Sequence, residues 1–228
     1  MAATKPNLVV LTGAGISAES GLATFRDNGG LWNNYSVYDV ATPEAFHKNP
    51  ELVLNFYNQR RKDVRQAKPN PAHEALAKAE QQFNVHIVTQ NVDDLHERAG
   101  SSNVIHVHGL ITQARSAVTQ ELFELGQKDI QLGDKCPEGA QLRPHVVWFG
   151  EYIYHMDEAM QLVENADMVL VVGTSLSVFP FAGLVEYAAP EAKCYLITQD
   201  LDQVPTGFEY RQGSATELLP PLLRELAS

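Results

Sequence analysis

Asn7-Leu-Val-Val-Leu-Thr-Gly-Ala-Gly-Ile-Ser-Ala-Glu-Ser-Gly-Leu22 decides the fold class of this chain. Leu8 to Leu11 form a short apolar run suited to a strand buried on both faces. Thr12-Gly-Ala-Gly15 breaks the run, and residues 16–20 read as helical, giving strand, glycine turn and helix. Gly13, Gly15 and Ala18 match G-x-G-x-x-G/A. Small residues there let the backbone approach a pyrophosphate, and the helix N-terminus stabilises its charge. A tight turn without a ligand carries the same pattern, so the rest of the chain has to decide.

The same alternation recurs along the sequence. Buried strands are expected at residues 85–89, 103–109, 167–175 and 194–198, the last of these closing the sheet. Helices are expected from 49 to 67 and from 70 to 83, each opened by an Asn-Pro pair with asparagine as N-cap and proline at the first position. Further helices are expected at 156–165, 180–189 and 214–227, the last kinked or restarted by Pro220-Pro221. Strands alternating with helices imply an α/β fold, with a parallel sheet covered by helices on both faces. Residues 110–142 break this rhythm, and Val118, Leu122 and Leu125 suggest a short amphipathic helical stripe.

Composition narrows the class. The chain has 228 residues and 44% hydrophobic content, enough for one large domain with or without an insertion. A formal net charge of −11 excludes the basic stripe of a nucleic-acid surface. Two cysteines, Cys136 and Cys194, make no disulfide framework and suit a reducing compartment. The first residues lack the apolar core of a signal peptide, and no apolar run approaches the roughly 20 residues that span a bilayer. The expectation is a cytoplasmic chain with neither membrane nor nucleic-acid partners.

Candidate site residues sit at the expected strand ends, where open α/β sheets bind ligands. Arg26 and Phe25 follow the glycine turn, in a loop interrupted by Gly29-Gly30, as a phosphate partner and a lid. The acidic residue that ends the second strand of a dinucleotide-binding unit is missing, which weakens a dehydrogenase reading. Val53, Tyr57, Arg60 and Val64 share one helix face. A buried guanidinium there serves either an internal salt bridge or a bidentate carboxylate ligand. Gln90, Asn91 and Asp93 suit ribose and amide recognition, or else Asp93 or Asp94 caps a helix. His106 and His108 are expected on the same strand face, with His108 at the exit. No further His or Cys set completes a metal site, so His108 reads as a general base.

Taken together these motifs resemble the sirtuins, the NAD-dependent protein-lysine deacylases. The resemblance runs from about Leu8 to Leu222. It rests on Gly13-Ala-Gly-Ile-Ser17, Thr24-Phe-Arg-Asp27 before Gly29-Gly-Leu-Trp32, Thr89-Gln-Asn-Val-Asp93 and His108-Gly109. Arg143-Pro-His-Val-Val-Trp-Phe-Gly-Glu151, Gly173-Thr-Ser175 and Gly213-Ser-Ala215 continue it. It implies a Rossmann-like large domain at about 1–30, 80–111 and 143–228, and a small domain from insertions at 31–79 and 112–142. NAD would be bound by Gly13, Ala14, Gly15, Phe25, Arg26, Gln90, Asn91, Asp93, Gly173, Thr174, Ser175 and Ala215. His108 would be the catalytic proton acceptor, with Asn91 beside it. The acyl-lysine oxygen would attack the nicotinamide ribose, and nicotinamide, O-acyl-ADP-ribose and lysine would leave. Val147, Trp148 and Phe149 resemble the edge that pairs with the substrate peptide.

Tyr57 and Arg60 match the Tyr-x-x-Arg pair of the class III branch, which removes succinyl, malonyl and glutaryl groups. Three departures stand out. Val37 replaces the alanine of most such members and narrows the acyl pocket, and Thr198 replaces a late asparagine. Most sirtuins also carry four zinc cysteines between the histidine and the Arg-Pro-His motif, where only Cys136 remains here. The expectations are a zinc-free monomer, its 112–137 segment held by the Val118/Leu122/Leu125 stripe, acting on acylated-lysine protein or peptide. The alternatives are an NAD glycohydrolase or ADP-ribosyltransferase, and a weakly active NAD-binding module.

Overall fold

The computed structural model describes residues 5–24, 31–32 and 35–228. The chain runs β1 (Asn7–Thr12), α1 (Gly15–Ala18), β2 (Leu31–Trp32), β3 (Tyr35–Ser36), α2 (Val37–Val40), α3 (Pro43–Lys48), α4 (Pro50–Gln66), α5 (Pro71–Ala79), β4 (Asn84–Thr89), α6 (Leu95–Ala99) and β5 (Val104–His106). It continues through β6 (Gly109–Ser116), β7 (Leu122–Glu124), β8 (Leu142–Val146), α7 (Met156–Glu164), β9 (Met168–Val172), a 3₁₀ helix at Phe181–Tyr187, β10 (Lys193–Thr198), β11 (Phe208–Gln212) and α8 (Ala215–Leu226).

Among the described residues, six strands form one sheet in the order β11-β10-β9-β1-β4-β5, every neighbour parallel. The alternation along β1 divides the core. Leu8 and Val10 pack with Leu76 of α5 and Leu219 and Leu222 of α8 on one face. Val9 and Leu11 pack with Ala159 and Val163 of α7 and Phe181 of the 3₁₀ helix on the other. This is the expected Rossmann-like α/β sheet. β1 is central, so its C-terminal end opens between neighbours on both sides, and that positions the site.

Asn49 and Asn70 cap α4 and α5 through their side chains, with Pro50 and Pro71 behind them, as their sequence predicts. Other expectations change. A sixth strand, β11, follows β10, so residues 194–198 are not the last. α8 is continuous through Pro220 and Pro221. Two backbone donors are lost, but Leu219, Leu222 and Leu223 stay buried on one stripe that holds the helix to the sheet.

The largest correction lies in residues 110–142, which form no helix. β7-β6-β8 make an antiparallel sheet instead. Val118 is 73% and Leu122 47% exposed, so the expected stripe does not hold the segment. Ile130 does, packing with Leu54 and Ala114, with Leu125 against them. Polar anchors come from α4. Asn58 Nδ2 donates to Ile130 O at 2.8 Å and its Oδ1 accepts from Ile130 N at 3.0 Å. Arg61 Nε donates to Ile111 O at 2.8 Å, and Lys62 and Arg65 pair with Asp129. The helical spacing of the three apolar residues makes no stripe here, because two of them face water.

Candidate active site

The C-terminal ends of β1, β4 and β9 bound a cleft of about 1090 Å³. That is slightly above the usual range of about 300–1,000 Å³ for small-molecule sites. Its floor is made by two glycine turns in contact. Gly15 N donates to Gly173 O at 2.8 Å. A Cβ on Gly15 would lie 2.8 Å from Gly173 Cα, and one on Gly13 2.7 Å from Thr174 Cβ. Gly173, at φ +65°, would bring a Cβ within 2.3 Å of Ile16 N. These glycines are therefore required by the approach of one turn to the other. Ala14, Gly15, Gly173, Thr174, Ser175 and Ala215 line the cleft, whereas Gly13 packs beneath it. Phe25 and Arg26 lie outside the described residues.

β4 delivers Gln90, Asn91 and Asp93 to the same cleft. Gln90 Oε1 accepts from Thr174 Oγ1 at 3.0 Å, tying the β4 end to the β9 turn. Asn91 Nδ2 donates to Ser17 Oγ at 3.2 Å, and Ser17 Oγ donates to Asp93 Oδ2 at 3.1 Å. Asp93 is 5% exposed, and burial raises its pKa although the Leu95 amide and Ser17 hydroxyl pull it down. Beneath lie two buried histidines in edge contact, their ring centroids 4.9 Å apart. His73 faces Ser17 at 3.4 Å, and His96 meets Thr12 Oγ1 at 3.2 Å. Burial lowers His73 to about 4 and His96 well below its ordinary value, so both are neutral.

The two candidate histidines part company. β5 ends at His106 and a turn follows, so the strand alternation that put them on one face is broken. His106 turns inward: Nδ1 meets Asn91 O at 2.9 Å and Nε2 meets Glu97 Oε1 at 2.7 Å. Burial lowers its pKa, but Glu97, the Asn91 carbonyl and Asp93 outweigh this and raise it overall. His108 lines the cleft, with Nδ1 3.1 Å from Gln90 O. A carbonyl can only accept, so Nδ1 carries the proton and Nε2 is the basic nitrogen. Burial lowers the His108 pKa against the Gln90 bond, keeping the ring neutral. The chain therefore presents an imidazole base in a cleft, beside oriented amides and a buried carboxyl.

Tyr57 and Arg60 reach the same cleft from α4. Both are buried, at 1% and 9% exposure. Desolvation raises the Tyr57 phenol and lowers Arg60, which feels Tyr57, Asp63 and Asp93 in return. Val147, Trp148 and Phe149 also line the cleft. Their amides are all used internally: Val147 N donates to His108 O, Trp148 N to Glu151 Oε2 and Phe149 N to Ala41 O. β8 stops at Val146, so the segment is a loop holding side chains rather than an open edge of donors.

A model described as the Sir2 family matches residues 13–180. The chain belongs to the Sir2 family. An NAD-dependent protein deacylase of Bacteroides thetaiotaomicron is 52% identical over 198 residues, covering 84% of each chain. One of Vibrio cholerae is 44% identical over 229 residues, covering 96% of this chain and 93% of the relative. Among solved structures, a Sir2 homolog–NAD complex superposes with a TM-score of 0.86 at 42% identity, covering 97% of this Sir2 chain and 90% of the other.

Reasoning from sequence missed Ser17, His73 and His96 in this Sir2 chain. Ser17 stands within the quoted glycine motif, and His73 in the first turn after Asn70-Pro71, but nothing local says that Ser17 meets Asp93 or that His73 meets Ser17. The described residues hold no group of three or more His, Cys, Asp or Glu side chains able to bind a metal. Cys136 is buried, its Sγ accepting from Ser116 Oγ at 3.3 Å, and Cys194 lies in β10.

Proposed function

We propose that this NAD-dependent protein deacylase removes succinyl and malonyl groups from lysine in preference to acetyl. One observation carries the reading: Tyr57 and Arg60, one turn apart and buried, line the cleft that holds His108 and Asn91. A guanidinium and a phenol buried one turn apart on the wall of the cleft suit a carboxylate, met bidentately by one and by a hydrogen bond from the other. Charge-assisted hydrogen bonds of this kind contribute about 1.5–3 kcal/mol each, enough for a tenfold or greater preference. Val37 packs into the cluster around Tyr57 and Trp148, which favours chains shorter than glutaryl.

The remaining residues take roles in the same cleft. Gly15, Ala14, Gly173, Thr174, Ser175 and Ala215 form the floor and wall for NAD, and Gln90, Asn91 and Asp93 face its ribose and amide. Bound NAD supplies a ribose carbon with nicotinamide as leaving group. His108 Nε2 accepts the proton of a ribose hydroxyl, while Nδ1–H stays on Gln90 O. His106 meets the Asn91 backbone carbonyl and Ser17 Oγ accepts from Asn91 Nδ2, so the side-chain amide is oriented beforehand. The parallel sheet and the β7-β6-β8 sheet with α4 correspond to a large and a small lobe, the small one built without zinc.

The test is nicotinamide release on one peptide carrying acetyl-, succinyl- or glutaryl-lysine. Succinyl should lead, glutaryl should trail it, and Arg60→Met should cost desuccinylation at least tenfold more than deacetylation. Equal rates on acetyl and succinyl would return Arg60 to an internal salt-bridge role. Release without any acyl peptide would favour NAD glycohydrolysis.

A further inference from the structure

The acyl pocket is held by a chain of polar contacts that begins outside it. Glu151 accepts from Arg143 at 2.6 and 3.0 Å, from Arg115 at 2.8 and 2.9 Å, and from the Trp148 amide at 2.8 Å. These contacts outweigh burial and lower its pKa, so it is a carboxylate. The Arg143 guanidinium then lies 3.2 Å from the Trp148 ring centroid and donates to Val146 O at 2.9 Å. Trp148, only 2% exposed, donates its indole Nε1–H to the Tyr57 hydroxyl at 3.0 Å. Phe46 packs on the same indole at 5.3 Å.

An indole N–H can only donate. In that bond Tyr57 oxygen must accept, so the phenol's own O–H is directed away from the indole. A phenol can serve as donor or acceptor, and the choice matters for a carboxylate, which only accepts. A phenol turned the other way would present lone pairs to a negative group. The indole therefore fixes the polarity of Tyr57, and the Arg143 stack and the Glu151 bond to the Trp148 amide fix the indole.

We propose that Trp148, held by Arg143 and Glu151, is a positioning residue that commits Tyr57 as a hydrogen-bond donor and so determines selectivity for acidic acyl chains. This rests on the acidic-acyl reading above. Trp148 acts through Tyr57, while Arg143 and Glu151 act through Trp148. The selectivity then depends on residues that need not touch the acyl carboxylate.

The experiment compares kcat/KM on succinyl- and acetyl-lysine peptides for the wild type, Tyr57→Phe, Trp148→Phe, the double variant and Arg143→Lys. Tyr57→Phe should lower the succinyl-to-acetyl ratio about tenfold, the worth of one charge-assisted hydrogen bond. Trp148→Phe should lower it about three- to tenfold, chiefly through a higher KM for the succinyl peptide, as expected for lost substrate binding. The double variant should fall no further than Tyr57→Phe, because the indole has nothing left to orient. Arg143→Lys keeps a charge for Glu151 but loses the planar stack, and should lower the ratio about threefold, which serves even where Trp148→Phe does not fold. A ratio unchanged in Trp148→Phe, or in Arg143→Lys, overturns the proposal. So do effects of Trp148→Phe and Tyr57→Phe that multiply in the double variant. If the wild type prefers succinyl and only Tyr57→Phe loses that preference, the proposal fails while the acidic-acyl reading stands. A wild type with no succinyl preference overturns both.

Discussion

Asn58→Leu tests how the antiparallel sheet is held to the rest of the protein. Asn58 is 6% exposed, and its amide makes three bonds: to Ile130 O at 2.8 Å, from Ile130 N at 3.0 Å, and from Arg61 Nη1 at 2.6 Å. Leucine keeps the branched shape and the number of heavy atoms, and its bulkier methyl groups add some overpacking to the loss of the bonds. The Ile130 N–H and C=O and one Arg61 N–H would be stranded where Ile130 is 1% exposed. A buried polar group left unsatisfied costs about 1–3 kcal/mol, giving roughly 3–9 kcal/mol for the three, less any water that enters. Against a typical total of about 5–15 kcal/mol, that is a large fraction. Part of it should appear as local opening of residues 117–141 rather than global unfolding. Denaturant melts should show the loss, and hydrogen exchange should show Ile130 amide protection falling ahead of the β1 and β9 amides. Asn58→Asp keeps both acceptor contacts and should lose less. A change under about 1 kcal/mol with Ile130 still protected would refute the reasoning.

Three further outcomes follow from the geometry. Gly173→Ala forces a side chain to φ +65° against Ile16 N, and should cost at least the roughly 1–2 kcal/mol of the left-handed region, read as a lower Tm together with weaker NAD binding. His73, His96 and His145 are held neutral by burial, His73 and His145 at about 4. The unfolded chain binds more protons than the folded one between pH 6.5 and 4, so stability falls as pH drops through that window. His106, raised, contributes stability below about 6.5 that is lost as pH climbs through its folded pKa, but it is one group against three. A Tm higher at pH 5 than at pH 7.5 would contradict this balance. His108→Ala should abolish turnover with Tm nearly unchanged, and the acidic limb of kcat/KM in the parent protein should fall below pH 6.5, since burial lowers His108.

The parallel sheet was legible because its signals are local. A buried four-residue run, a glycine break and an asparagine-proline cap each describe the few residues that carry them. The cleft was legible for the same reason, since strand ends at Gly13, Gln90 and Gly173 converge once the strands are parallel neighbours. What could not be read was pairing across distance. Nothing near Ser17 says that Asp93 and Asn91, more than seventy positions away, will meet its hydroxyl. The β7-β6-β8 sheet is illegible for a related reason. Its strands are short, and its cohesion comes from Asn58 and Arg61 on a distant helix. Val118 and Leu122 misled because apolar spacing identifies a stripe only when the residues are buried.

α4 joins the cleft to the antiparallel sheet. Tyr57, Arg60 and Val64 recur at three- or four-residue intervals on one stripe, and Leu54, Asn58, Arg61 and Arg65 on the stripe about 100° away. The first stripe faces the cleft and the second holds Ile130, Ile111 and Asp129. A rotation of this helix that loosened the second stripe would also turn the phenol and guanidinium out of the cleft. Loss of the Asn58 clamp should therefore reach selectivity as well as stability. In Asn58→Leu protein that remains folded at low temperature, the succinyl-to-acetyl ratio should drop, although Asn58 does not line the cleft. An unchanged ratio would mean that the packing of Val53, Phe56 and Tyr57 with Trp148 sets the register of α4 by itself.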